Sequence, residues 1–221
     1  MTRAIVFAAA LAAQLIVAVV ASAQSGSGHH HPAEASAGAE AKSVTVKLLD
    51  LELLDQDGKR VRFKSDVVRD RLVVVNVIYT TCPVVCPILS SVFANLQEPL
   101  GERLGKEVVL VSISVDPLND IPPRLKEYAK RFNARPGWVF LTGSKGNVDE
   151  MLRGLNMYAA DFSEHTTSML VGDGREGRWR RLYDVPPPDR VLAELGELTV
   201  ARGGEARPAS HDAVDHGGHR R

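Results

Sequence analysis

The sequence predicts an α/β fold in which a central mixed β-sheet is flanked by helices and preceded by an N-terminal β-hairpin. Strand-like runs alternate along the chain with amphipathic helical patterns, which is the order that builds such a sheet. Residues 72–79 and 108–115 are largely apolar without alternation, as expected for strands that are covered on both faces. Residues 167–172 and 178–183 flank a glycine-containing turn, which predicts an antiparallel pair at the end of the domain.

The N-terminal hairpin and one further strand are predicted from shorter sequence patterns. Residues 44–50 and 52–63 have strand-like composition, and residues 55–58 form a turn in which Gly58 supplies a positive φ angle. We therefore expect the N-terminal hairpin here. Residues 138–141 predict a further buried strand.

Four helices are expected between and after these strands. The first starts at Pro87, which the first turn of a helix tolerates, and its apolar stripe consists of Leu89, Val92, Phe93 and Leu96. Asp120 is placed to cap the second helix. Asn147 and Glu150 have the spacing of a capping box for the third helix, and Asp189 begins the last one.

The N-terminus has the pattern of a secretory signal peptide over residues 1–23. Arg3 precedes the apolar run 5–20, and Ala21-Ser22-Ala23 is a cleavage signature. The alternative is a retained membrane anchor, although the run is short for a bilayer span of about 20 residues. In both cases we expect an exported protein, either periplasmic or facing the outer side of the cytoplasmic membrane.

The rest of the chain predicts one domain between two disordered segments. Residues 24–42 are a linker rich in Ser, Gly, Ala and Glu, and residues 203–221 form a similar tail that contains histidines. Residues 43–202 are long enough for a single core. Because 27 Lys and Arg balance 27 Asp and Glu, the charge does not indicate nucleic acid as a partner.

The chemistry of the chain centres on Cys82 and Cys86, its only two cysteines, which lie between the strand 72–79 and the helix that starts at Pro87. A disulfide across so short a loop is a poor structural staple, because it removes little entropy from the unfolded chain. A thiol at a helix N-terminus has a lowered pKa, which suits redox or metal chemistry. A dithiol that opens a helix after an early strand is typical of a thioredoxin-like fold. Three intervening residues, rather than two, give a wider bite that suits a metal.

His165 is the candidate for a third ligand. Of the seven histidines it alone lies in the predicted domain, and the others are His29, His30, His31, His211, His216 and His219. In a thioredoxin-like sheet the loop before the strand 167–172 approaches the cysteine turn. Two thiolates and one imidazole suit Cu(I) or Cu(II), and suit Zn(II) less well without a fourth ligand. The terminal histidines are either weak metal collectors or plain solvated residues.

Two further residues have alternative interpretations. Asp116 follows a buried strand and precedes Pro117, so it either orients the site and meets a partner or simply forms the turn. Tyr79 is expected to pack in the core, with the lining of the site as the alternative.

These motifs together resemble the SCO/SenC family of copper-binding proteins that assist cytochrome c oxidase assembly. The resemblance covers residues 44–183 and rests on Thr81-Cys82-Pro83-x-x-Cys86-Pro87, on residues 111–117 and 138–143, and on His165 ahead of residues 170–173. It implies that Cys82, Cys86 and His165 are copper ligands and that the two cysteines also form a redox-active disulfide. Family members often carry an acidic residue where this chain has Val84, which removes a charge but no ligand.

The first functional hypothesis is a copper chaperone rather than an enzyme. It would pass copper by ligand exchange to an apo-cuproprotein, which by resemblance is the cytochrome c oxidase subunit with the binuclear copper site. A thiol reductant must first reduce the cysteine pair.

The alternative is a thiol-disulfide oxidoreductase that acts on the cysteines of a copper-site protein. Thioredoxin-like reductases place a cis-proline beside the dithiol. Residues 137–185 contain no proline, and His165 lies in that region instead, which favours metal binding. A thiol peroxidase fits least, because neither cysteine has the threonine and proline that peroxiredoxins place before the reactive thiol.

Overall fold

The structure is a computed structural model that describes residues 41–161, 164–165 and 167–203. The predicted signal peptide, most of the linker and residues 204–221 of the histidine-containing tail lie outside the described residues, and Gly203 ends the last helix. Within those ranges, no helix combines the length and the apolar character that crossing a membrane requires.

The described residues form one mixed sheet and four α-helices. The elements in chain order are β1 (Ala41–Val44), β2 (Glu52–Asp55), β3 (Arg60–Arg62), β4 (Leu72–Ile78), α1 (Val85–Leu100), β5 (Val108–Ser114), α2 (Pro122–Arg131), β6 (Trp138–Thr142), α3 (Lys145–Gly154), β7 (Met169–Asp173), β8 (Trp179–Leu182) and α4 (Pro188–Gly203). The strand order is β1-β8-β7-β4-β5-β6-β2-β3. Strand β5 is parallel to both β4 and β6, and the other pairs are antiparallel. The predicted fold class, a mixed sheet flanked by helices, is confirmed.

The central strands separate two apolar cores. Every residue of β4 and of β5 is buried, which explains why both segments lack an alternating pattern. Because successive side chains point to opposite faces, Val74 packs with α1, α2 and α4 on one side, and Val75 packs with α3 and the helical turn Phe63–Val68 on the other. Cys82 and Cys86 belong to the first core.

The predicted hairpin exists only in its second half. Strands β2 and β3 pair as expected, but the predicted strand 44–50 is wrong. Strand β1 lies at the opposite edge of the sheet against β8, with Ala41 opposite Leu182. The following residues cross to α3, because Lys47 N–H donates to the Gly154 carbonyl at 2.8 Å. Ala41 and Lys42, which the sequence assigns to the linker, lie in β1.

Two predicted helix caps are also wrong. Helix α2 has Ile121 at its N-cap with no side-chain cap, and its first turn contains proline, so Asp120 does not cap it. Helix α3 is capped by Ser144, whose Oγ accepts from Asn147 N–H at 3.2 Å. Helix α1 starts at Val85, two residues before the predicted Pro87, so that Cys86 lies within its first turn.

Candidate metal centre

The sheet topology brings the three predicted ligands to one edge. Strand β4 ends at Ile78, and the loop that follows carries Cys82 into α1. Strand β7 runs antiparallel to β4, with Leu170 opposite Val75, so the segment before β7 arrives at the carboxyl end of β4. That segment carries His165, which therefore meets the cysteines as the sequence predicts.

The ligand atoms of Cys82, Cys86 and His165 all lie within 4.8 Å of one another. Cys86 Sγ is 3.6 Å from His165 Nε2, and Cys86 N–H donates to Cys82 Sγ at 3.3 Å. All three residues are buried, and both cysteines are free thiols. Two ligands of one ion, each bonded at about 2.0–2.3 Å, are at most about 4.6 Å apart, so small side-chain movements suffice to bind one ion.

The donor set favours a soft metal. Thiolate ligands select soft ions such as Cu(I) and zinc, and imidazole is a suitable ligand for both copper and zinc. A structural zinc site takes four protein ligands, and among the described residues this cluster has three. A bound ion would therefore have fewer protein ligands here than in a structural zinc site, which would leave it accessible to a ligand from another protein.

The two sulfurs are chemically unequal. Burial by itself raises the pKa of the Cys82 thiol, but hydrogen bonds from the Cys86 thiol and from the backbone N–H groups of Cys86 and Val84 outweigh it, so this pKa is lowered. Burial raises the pKa of the Cys86 thiol, and the Cys82 side chain raises it further. Cys86 is fully buried, whereas Cys82 retains 7% exposure. Cys82 is therefore the more ionised and the more accessible sulfur.

Tyr79 lies against the site rather than only in the core. Its ring meets the His165 imidazole edge-on, with centroids 5.6 Å apart and planes at 81°. Its hydroxyl hydrogen-bonds to the Cys82 side chain, which together with burial raises the pKa of Tyr79 to about 12. Its carbonyl accepts from Cys82 N–H at 3.1 Å.

A buried carboxylate, Asp120, holds the start of the cysteine loop. It accepts from the backbone N–H of Thr80 at 3.1 Å and from Thr80 Oγ1 at 2.5 Å. Ser114 Oγ, at the end of β5, donates to it at 2.6 Å. Sequence reasoning missed this role. The sequence did indicate that β4 and β5 are parallel, so that the loops after these two strands lie at the same edge of the sheet. Nothing in the local sequence, however, distinguishes Asp120 from the other acidic residues in these loops.

Asp116, the acidic residue selected from the sequence, makes contacts within its own loop. Its carboxylate accepts from Asn119 Nδ2 at 2.8 Å, and its backbone N–H donates to Ser114 Oγ at 3.0 Å. These are the contacts of a turn residue, and a role for Asp116 at the metal stays a prediction. Val84, which lies between the two cysteines in the chain, is 63% exposed.

Comparison with known proteins gives one consistent family. The SCO1/SenC family model matches residues 41–198. "Protein SCO1 homolog 1, mitochondrial" from Arabidopsis thaliana is 32% identical over 119 residues, which are 54% of this chain and 34% of that protein. "SCO2-like protein RC0895" from Rickettsia conorii is 31% identical over 102 residues, 46% of this chain and 47% of that one. The match thus spans a third to a half of the length of these curated relatives.

Solved structures show the same fold. A SCO1/SenC family lipoprotein from Bacillus anthracis superposes with a TM-score of 0.61 at 25% identity, over 72% of this chain and 98% of that one. Copper-bound ScoI from Bradyrhizobium japonicum superposes with a TM-score of 0.53 at 25% identity, over 70% and 99%. These neighbours confirm the thioredoxin-like fold. Since the family model covers well over half of the chain, the chain belongs to the SCO1/SenC family.

Proposed function

We propose that this protein is an exported copper chaperone that binds one copper ion through Cys82, Cys86 and His165 and delivers it to an apo-cuproprotein. The observation that carries the proposal is the convergence of two thiols and one imidazole within 4.8 Å. The copper-bound state of the Bradyrhizobium japonicum relative supports copper as the cargo. The acceptor we propose is the binuclear copper site of cytochrome c oxidase, which the family resemblance suggests.

Delivery follows from an incomplete ligand set. A ligand of the acceptor enters the open coordination position of the copper, and one cysteine thiolate then leaves, so that copper never becomes free. Cys82 is the less buried of the two cysteines, and we expect an incoming protein to reach it first. Before loading, a thiol reductant must supply two electrons and two protons to convert a Cys82–Cys86 disulfide into two thiols.

A copper titration tests this function. The reduced protein is titrated with Cu(I) under anaerobic conditions and, separately, with Cu(II), while absorption is recorded. We expect about one copper per chain and a thiolate-to-Cu(II) charge-transfer band that replacement of both cysteines by serine abolishes. Titration without a saturable site or without that band contradicts the proposal.

The inequality of the two thiols favours a second function, thiol-disulfide exchange on a copper-site protein. In that reaction the Cys82 thiolate attacks the partner's disulfide and releases one partner thiolate, and Cys86 then attacks the mixed disulfide and releases the second. Rapid turnover of a disulfide substrate by the metal-free protein favours this function, whereas stoichiometric copper binding with negligible turnover favours the chaperone.

Export is proposed from the pattern of residues 1–23, which lie outside the described residues. Cell fractionation with N-terminal mass analysis tests it. Recovery from the periplasm or the outer side of the membrane supports export, and a cytoplasmic protein with an intact N-terminus contradicts it.

A further inference from the structure

The aromatic side chain of Tyr79 lies beside predicted ligands from two different segments of the chain. Tyr79 contacts Cys82 on the loop after β4, and it contacts His165 on the segment before β7. The first contact includes a backbone hydrogen bond, from Cys82 N–H to the Tyr79 carbonyl at 3.1 Å, and the side-chain hydrogen bond of Tyr79 lowers the pKa of the Cys82 thiol. The second is an edge-to-face ring contact, with 5.6 Å between centroids and 81° between planes.

Each contact has a distinct physical effect. The ring of Tyr79 restricts the plane of the His165 imidazole, because a T-shaped aromatic pair has a preferred orientation. That plane sets the direction of Nε2, which lies 3.6 Å from Cys86 Sγ. The hydroxyl withdraws electron density from the Cys82 sulfur, and hydrogen bonds to a coordinating cysteine sulfur tune the redox potential of copper sites.

We propose that Tyr79 is a positioning residue of the metal centre, with its ring orienting His165 and its hydroxyl tuning the donor strength of the Cys82 sulfur. This inference rests on the proposed function, since it concerns the same copper site. It assigns the residue a role beyond the core packing that the sequence indicated.

Two substitutions separate the two effects. Tyr79→Phe keeps the ring and removes only the hydroxyl. The Cys82 sulfur then donates more strongly, so the charge-transfer band moves to longer wavelength and the Cu(II)/Cu(I) potential falls, with little change in copper affinity. Tyr79→Leu also removes the ring contact, and we expect copper affinity to fall by about 10- to 100-fold, as for other groups that hydrogen-bond to or orient metal ligands.

Tyr128→Phe is the matched control. The Tyr128 hydroxyl is also buried, but it pairs with Ser90 Oγ at 2.9 Å instead of a ligand. We expect this variant to lose stability while it keeps the wild-type band and potential. The inference is overturned if Tyr79→Phe leaves both quantities unchanged or if Tyr128→Phe shifts them equally. In that case wild-type copper binding would still support the proposed function, whereas wild-type protein without copper binding would refute both.

Discussion

His165 Nε2 lies 3.6 Å from Cys86 Sγ, although 79 positions separate the two residues in the chain. The contact exists because β7 runs antiparallel to β4 and returns the chain to the edge where the cysteine loop begins. The ligand set is therefore a product of the folded sheet, and the unfolded chain has no preformed site. Copper binding should accordingly depend on every interaction that holds the loop at this edge.

The Asp120 carboxylate is the first of these interactions to test. In Asp120→Asn the amide nitrogen cannot accept a hydrogen bond, so at least one donor from Thr80 or Ser114 is left without a partner. A buried unpaired group costs about 1–3 kcal/mol. We expect urea unfolding to show a loss of this size, together with a shift of the copper charge-transfer band, because Thr80 begins the cysteine loop.

Ser114→Ala is the control for Asp120→Asn. It removes the hydrogen bond from Ser114 Oγ to Asp120 and also the acceptor of Asp116 N–H, but it leaves the Thr80 bonds to Asp120 in place. We expect a stability loss of about 1–3 kcal/mol, because the buried Asp116 N–H loses its acceptor, and an unchanged band. Equal band shifts in the two variants would show that Asp120 does not act through Thr80.

The inequality of the two thiols predicts ordered alkylation of the reduced, metal-free protein. Cys82 is buried but retains 7% exposure and has a lowered pKa, whereas Cys86 is fully buried and has a raised pKa. Because the thiolate is the nucleophile, iodoacetamide should modify Cys82 at least about tenfold faster near neutral pH. Peptide mass spectrometry after timed quenching measures both rates. Faster modification of Cys86 would contradict the assignment, and bound copper should protect both sulfurs.

The ion pair between Asp173 and Arg202 predicts how stability responds to acid. Asp173 is fully buried, and its two oxygens accept from Arg202 at 2.6 and 2.8 Å. Burial by itself raises the pKa of Asp173, but Arg202 and the backbone N–H groups of Glu176 and Arg175 outweigh it and lower this pKa below the ordinary value of 3.8. The stability from this pair is complete above that value and is lost as pH falls through the lowered pKa.

Unfolding in urea at a series of pH values below about 5 measures this effect. The unfolding free energy should fall with acid more steeply in the wild type than in Asp173→Asn. At neutral pH this variant should lose about 2 kcal/mol, because a hydrogen bond between charged groups is weakened. Arg202→Gln should flatten the acid dependence to a smaller extent, because the backbone N–H groups of Glu176 and Arg175 still lower the pKa of Asp173. Identical slopes in all three proteins would assign the acid sensitivity to other carboxylates.

The sequence predicted what local composition and chain order can determine. The apolar runs of β4 and β5 identified the buried strands, and the order of strands and helices placed His165 beside the cysteine turn. Those inferences needed only periodicity and the geometry of parallel and antiparallel strands.

The wrong predictions concern strand pairing and helix capping that depend on residues far away in the sequence. Nothing in residues 41–50 indicates that β1 pairs with β8 at the far edge, since the choice depends on residues near Leu182. Asp120 looked like a helix cap because its actual donor, Thr80, lies 40 positions earlier. Ser144 and Asn147 are both acceptable caps by residue type, but Ser144 caps the helix and the Asn147 side chain donates to the distant Glu52 carbonyl instead.

The most direct test of the copper site compares two variants in one affinity measurement. His165→Ala removes one of the three ligands, whereas the comparison variant lacks the histidine-containing segments outside the domain. Competition with a Cu(I) chelator should show that His165→Ala weakens binding by more than about 100-fold, since even groups that merely orient ligands contribute about 10- to 100-fold. The variant without the terminal histidines should bind within a few-fold of wild type. Wild-type copper affinity in His165→Ala would contradict the site.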